Sequence, residues 1–355
     1  MDWYKLDNAA KIFPFVQRSN VYASFRVSCL LKEDVDANLL QKALKETLIR
    51  FPNFCVKLKQ GFFWYYLEHN DNEPIISLES SQVVNNISTK NNNGFLFKVT
   101  YFNKRISLNM FHGLTDGNGA LEFLKSIVFN YLKLKGYDIK NDGSIISNDY
   151  ELINSEFFDD YKENFNKKPK EKVKDEKAFK IKGTKYKNNF TGLYQIILDV
   201  DKTHDLANSF NTTMSGLLGG ITLYSIYLTY FKNIEQKYNP RILIPVNARK
   251  YFDSISLRNF ILFTHTIGEF RNKELELKDC ISYMCESLNN INSDILYSQL
   301  YRNVKLEKNL FIRLIPLFLK TPIMKIGYKL IGSNITTLSF SNLGRVNVGD
   351  SMKEY

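Results

Sequence analysis

The sequence has few of the residues that hold metals or staple secreted domains. Its 355 residues include four cysteines, Cys29, Cys55, Cys280 and Cys285, and four histidines, His69, His112, His204 and His265. No CxxC pair and no Cys/His spacing of the zinc type occurs, so the expectation is reduced, buried thiols in a cytoplasmic protein with no metal. No apolar run is long enough to cross a bilayer. The opening MDWYKLDNAAKIF has mixed polarity and no signal-peptide pattern. No tandem repeat is visible. Acidic residues are the minority: 37 Asp and Glu against 48 Lys and Arg give a net charge of +11. Such an excess suits nucleic acid, a membrane surface or a phosphorylated ligand. No RRM, HTH or KH signature accompanies it, however, and much of it lies in one lysine-rich stretch, 161–189. Nucleic-acid binding is therefore not expected.

What is present reads as mixed α and β. NVYASFRVSCLL (20–31) is a strand, and DVDANLLQKALKETLIRF a helix capped by Asp36, with Leu39, Leu40, Ala43, Leu44, Leu48 and Ile49 on its buried face. A hairpin turning at Gln60-Gly61 follows, then an Asn-rich connector, then strands FLFKVTYF and RISLNMF. ALEFLKSIVFNYLKLKG has helical spacing, with Gly136 placed to end it. Beyond the lysine-rich stretch, TGLYQIILDVD (191–201) predicts a strand, and TTMSGLLGGITLYSIYLTYF a buried helix capped at Asn211, Thr212 or Thr213. RILIPVNARKYF is a strand, LELKDCISYMCESLNNINS an amphipathic helix, and ITTLSFSNLGRV a last strand. The proline-interrupted LFIRLIPLFLKTPIMKIGYKLIG has three readings: a buried helix, which is the plainest, a helix on a membrane surface, or the wall of an acyl tunnel.

Chemistry concentrates at NMFHGLTDGNGALEFL, where a strand delivers His112 to a turn that must enter a helix. An imidazole there can take a proton from an alcohol, amine or thiol at neutral pH. Gly117 and Gly119 are read as permitting backbone angles that other residues resist. Asp116 is placed to fix the turn by pairing with an arginine. An Asp-Gly pair is also an everyday turn, so the pattern alone leaves His112 open between a base and a turn residue. Its position between two strands and an amphipathic helix favours the base.

The segment resembles the HxxxDG signature of the chloramphenicol acetyltransferase-like superfamily, which includes plant-type acyltransferases, alcohol acetyltransferases, wax ester synthases and condensation domains. Members often carry a doubled histidine; here Phe111 stands before His112, and the second histidine is the catalytic one in the family. IRFPNFCVKLKQGFFWYYLEHN is similar to the N-terminal block of bacterial alcohol acetyltransferase-like proteins. ILIPVNARKYF and SFSNLGRV are similar to the Pro-x-Asn-x-Arg and Ser-Asn-x-Gly strands, and all occur in family order.

The resemblance implies an α+β fold of mixed sheets with flanking helices, built as two subdomains in a V-shaped pair with the site between them. The expected boundaries are 1–160 with the HxxxDG motif, a crossover linker over 161–190, and 191–355, a shortened C-terminal subdomain. Family members continue past the Ser-Asn-x-Gly strand, often to an Asp-Phe-Gly-Trp-Gly-like block that this sequence lacks. The resemblance further implies that His112 is the general base and that Asp116, beside Gly117, pairs with Arg249, Arg26 being the runner-up. A bidentate pair would suit that job. Ser341 and Asn342 would donate to an oxyanion, although Asn342 before Gly344 also reads as a turn residue.

On this reading the protein transfers an acyl group to an alcohol or amine acceptor, with acyl-CoA as co-substrate and no tightly bound cofactor. Two alternatives stand beside it: a condensation-type enzyme fed by a carrier-protein thioester, and an inactive binding or accessory protein that keeps the fold. The lysine-rich stretch reads more plainly as a solvated linker than as a steering patch for the phosphates of coenzyme A. His69 is expected at a hairpin end, His204 in a polar turn, and His265 on an apolar strand.

Overall fold

The computed structural model describes residues 3–17, 22–83, 86–166, 168–169, 175–184, 186, 191–330 and 332–355. Asn20 and Val21, at the start of the first expected strand, and much of the lysine-rich stretch between 167 and 190 lie outside the described residues.

From the N-terminus the chain forms β1 (Trp3–Lys5), α1 (Phe13–Val16), β2 (Ser24–Leu30), α2 (Ala37–Arg50), β3 (Val56–Gln60) and β4 (Tyr65–His69). Next come β5 (Ile76–Leu78), β6 (Phe97–Phe102), β7 (Arg105–Phe111), α3 (Gly117–Leu134) and α4 (Asp160–Glu163). The later part holds α5 (Val200–Ser209), α6 (Met214–Tyr230), β8 (Ile242–Asn247), α7 (Arg249–Phe252) and β9 (Ile261–His265). It ends with α8 (Leu277–Asn289), α9 (Ser293–Lys308), α10 (Leu310–Leu314), α11 (Leu317–Leu330) and β10 (Leu338–Ser339). These strands build three sheets in the orders β1-β4-β3, β2-β7-β6-β5 and β10-β8-β9.

The largest core lies between the four-stranded sheet and helices α2 and α3. Asp36 caps α2 by accepting from the backbone N–H groups of Asn38 and Leu39. The helix then buries Leu40, Ala43, Leu44 and Leu48, whereas Ile49, expected on the same face, is exposed. Phe51, Phe54 and Phe97 pack edge-on around Phe123 of α3. Fully burying such side chains contributes roughly 1.5–3 kcal/mol each. A second core joins α6 and α8 to one face of the β8–β9 sheet through Leu223, Ile226, Ile242, Ile244 and Met284. A third packs Val246, Phe260 and Leu262 against Leu296 and Leu300 of α9. Glycines let α6 approach α8: a Cβ on Gly220 would lie 2.7 Å from the Ile281 Cα.

Three elements differ from the expectation. Residues 191–199 form no strand, Tyr194, Ile196 and Ile197 are exposed, and no strand among the described residues pairs with them. α11 is not a buried helix; Phe318, Leu319, Ile323 and Ile326 face solvent. The last strand is only Leu338–Ser339, paired in parallel with β8. No helix among the described residues is long and apolar enough to cross a membrane.

Candidate active site

The β2–β7 register sets the position of His112. Ser24 pairs with Phe111, so the next residue leaves the sheet edge, and the His112 N–H donates to the Ala23 carbonyl at 2.8 Å. The chain then turns through Gly113–Thr115 into α3, whose N-cap is Asp116. Asp116 Oδ1 accepts from the N–H groups of Asn118 and Gly119, both at 3.1 Å. Its Oδ2 accepts from Arg249 Nη1 at 2.8 Å and from the Phe260 N–H at 2.9 Å. The carboxylate is fully buried, and a buried carboxylate persists when its lone pairs are matched by donors in this way.

Arg249 does not grip Asp116 with both arms. Its Nε donates to the Ser256 carbonyl at 2.7 Å and its Nη2 to the Arg258 carbonyl at 2.5 Å. One guanidinium thus holds the HxxxDG turn and the loop between α7 and β9 together. The runner-up Arg26 is engaged elsewhere, with Glu79 at 2.6 Å and Asn109 at 3.0 Å.

The glycines of the motif serve close packing, not unusual angles: neither Gly117 nor Gly119 has a positive φ. A Cβ on Gly119 would meet the Leu257 carbonyl oxygen at 2.5 Å, and one on Gly117 would meet Leu343 Cδ2 at 3.0 Å.

Sequence reasoning missed the groups that hold the imidazole. His112 Nδ1 lies 3.1 Å from Asn259 Oδ1, and Asn259 Nδ2 donates to Asp7 Oδ2 at 3.1 Å. Because the carboxylate takes the amide nitrogen, the amide oxygen must face the ring, so the ring proton sits on Nδ1. Nε2 is left with its lone pair. The Phe13 ring stacks on the imidazole at 4.5 Å, and Phe25 meets it edge-on at 4.9 Å. Burial holds the imidazole below its ordinary value of 6.5, against the opposing pull of Asp116 and Asn259, so it is neutral at neutral pH. Burial likewise raises the Asp7 carboxyl, opposed by nearby Arg258. Nothing in the sequence flags Asn259 or Asp7, since 147 residues separate His112 from one and 252 separate the two from each other.

His112, Gly117, Arg249, Asn259, Ser341 and Asn342 all line one cavity of about 920 Å³. Asn342 is a turn residue as well as a lining one: its Oδ1 accepts from the Gly344 N–H at 2.8 Å, and its Nδ2 donates to Ser215 at 2.9 Å. A second cavity of about 980 Å³ is lined by Trp3, Lys57, Lys162, Lys308 and Arg313. It shares Lys11, Trp64 and Glu307 with the first.

None of the other histidines lines the His112 cavity, although His69 lines the second one. His69 is at a strand end beside Asp71, and His204 lies on exposed α5, not in a turn. His265 is buried against Thr336, and desolvation, with Arg241 nearby, lowers it to about 4. Among the described residues no cluster of three or more His, Cys, Asp or Glu side chains is placed to hold a metal.

Neither a protein-family model nor a curated protein matches the sequence. Solved structures do match in fold. TRI101 of F. sporotrichioides, complexed with coenzyme A and T-2, superposes with a TM-score of 0.57 at 10% identity, covering 97% of this chain and 84% of that one. Polyketide synthase associated protein 5 from Mycobacterium tuberculosis gives 0.55 at 10% identity over 98% and 82%. The first condensation domain of the CDA synthetase gives 0.52 at 10% identity over 99% and 82%. The chain therefore has the α+β fold of chloramphenicol acetyltransferase-like and condensation proteins.

Proposed function

We infer that the chain is an acyltransferase that moves an acyl group from a thioester, acyl-CoA first among donors, to an alcohol or amine. The observation that carries this reading is the neutral His112, fixed by Asn259 with its Nε2 lone pair unspent, in the wall of a cavity large enough for two substrates. Similarity in fold to a protein crystallised with coenzyme A supports the choice of donor.

In the reaction, His112 Nε2 takes the proton of the acceptor as its oxygen or nitrogen attacks the thioester carbonyl. The carbonyl oxygen becomes an oxyanion, for which the Ser341 hydroxyl and the second amide hydrogen of Asn342 are the donors. Collapse breaks the carbon–sulfur bond, and the thiolate recovers the proton from the imidazolium. Asp116, Gly117 and Arg249 hold the turn that presents His112. Residues 1–160 and 191–355 act as two subdomains joined by the linker 161–190, the last residues, Val348, Met352 and Tyr355, packing back on the first core.

Free thiol release from acetyl-CoA across a panel of alcohols and amines tests the reading. His112→Ala is expected to lose roughly a hundredfold to ten-thousandfold in rate. Equal turnover by the two proteins would overturn the role of His112. Turnover confined to carrier-bound thioesters would select the condensation-type alternative.

A further inference from the structure

The helices α10 and α11 are turned inside out relative to an ordinary surface helix. Their buried side includes a lysine: Lys320 is 1% exposed, donates to the Phe63 carbonyl at 2.8 Å and lies over the Trp64 ring. Their solvent side is apolar. Phe318, Leu319, Pro322, Ile323 and Ile326 follow helical spacing along one face of α11, all exposed. Leu310, Phe311 and Leu314 of α10 continue that face, with Phe311 83% exposed.

The tip of the β3–β4 hairpin joins them. Phe62 is 69% exposed, and its carbonyl accepts from the Leu317 N–H at 2.8 Å. A monomer rarely exposes so contiguous an apolar surface without a partner.

The charge carried by the two helices themselves has one sign. No aspartate or glutamate occurs between Glu307 and Asp350, whereas Lys308, Arg313 and Lys325 fall on or beside the two helices, Lys320 being turned inward; Glu68, Asp71 and Glu307 share the adjoining cavity with Lys308 and Arg313. Lys308 and Arg313 are exposed. A second copy would bring the same cations against themselves, which disfavours self-association. An anionic lipid surface complements both the apolar face and its rim. At 14 residues, and with Pro322 inside it, α11 is too short to span a bilayer and suits an interfacial position.

We propose that the α10–α11 face and the Phe62–Phe63 hairpin tip dock this protein in the plane of an anionic membrane surface. The inner side of the same helices, through Ile312, Met324 and Tyr328, walls the His112 cavity. Docking therefore sets that cavity beside the lipid, whatever reaction the cavity supports.

Co-sedimentation with phosphatidylcholine vesicles, with and without phosphatidylglycerol, tests this. The expected result is binding to the anionic vesicles only, reversed by high salt. Phe311→Ser/Phe318→Ser should bind roughly tenfold or more weakly, from the lost apolar contact. Arg313→Glu should lose on the order of tenfold, because each basic residue near such a surface is worth about 1 kcal/mol. Both variants alter exposed positions, and an unchanged circular-dichroism melt keeps the comparison valid. Binding that ignores both variants, or no binding to anionic vesicles, would overturn the proposal. A dimer by light scattering that dissociates in Phe311→Ser/Phe318→Ser would assign the face to a second copy and overturn it as well.

Discussion

In the proposed reaction, the lone pair on His112 Nε2 depends on one amide, because Asn259 holds the proton on the opposite nitrogen. The base must be neutral to act, and burial has lowered its pKa below 6.5. The acid limb of the kcat/KM profile is therefore expected to be centred below 6.5, the ordinary imidazole value. Asn259→Ala removes a hydrogen bond that favours the charged ring, so the limb should move lower still. The plateau should drop at least about tenfold, because the ring loses its tautomer and orientation. An unchanged plateau in Asn259→Ala would separate that residue from the chemistry. At this scale the local sequence shows His112 and Asp116, since both fall within one turn. It does not show Asn259, Asp7 or Phe13, which reach the imidazole only after the sheets have formed.

The entry to α3 is the element on which the site rests, and Gly119 is its tightest point. Helix propensity favours alanine over glycine by about 1 kcal/mol, so Gly119→Ala would be stabilising if the helix stood alone. A Cβ there, however, lies 2.5 Å from the Leu257 carbonyl oxygen, a backbone atom that cannot swing aside. Overpacking of this kind costs about 1–3 kcal/mol, and the expected net effect is a lower urea midpoint and reduced turnover. A raised midpoint would show that the loop around Leu257 yields freely. Elements with a local cause were legible: Asp36 caps α2, and Gly136, at φ +96°, follows the end of α3. Those that depend on neighbours were not. The segment 191–199 has the composition of a strand but no partner in a sheet among the described residues. The apolar run through α11 reads as buried because composition does not say which face meets protein.

Across the whole molecule, the contact between Asp116 and Arg249 spans 133 positions of sequence and joins the turn after β7 to α7. A second buried tie runs beside it. Arg50, at the end of α2, grips Glu156 with both arms, at 2.8 and 2.7 Å, and the Glu156 carbonyl accepts from the Leu257 N–H. Only family resemblance pointed to Arg249; composition and periodicity give no sign of a pair so far apart. In Asp116→Asn the cap to Asn118 and Gly119 can survive through Oδ1, but an amide replaces the oxygen that accepts from Arg249 and Phe260. Leaving a buried guanidinium without its carboxylate costs about 3–5 kcal/mol. Arg249→Met should cost a similar amount by stranding the carboxylate. If the two act as one unit, the double variant will fall short of the sum of the single losses by roughly 0.5–3 kcal/mol. Urea unfolding of the four proteins measures this coupling, and strictly additive losses would show that each group stabilises its own loop independently.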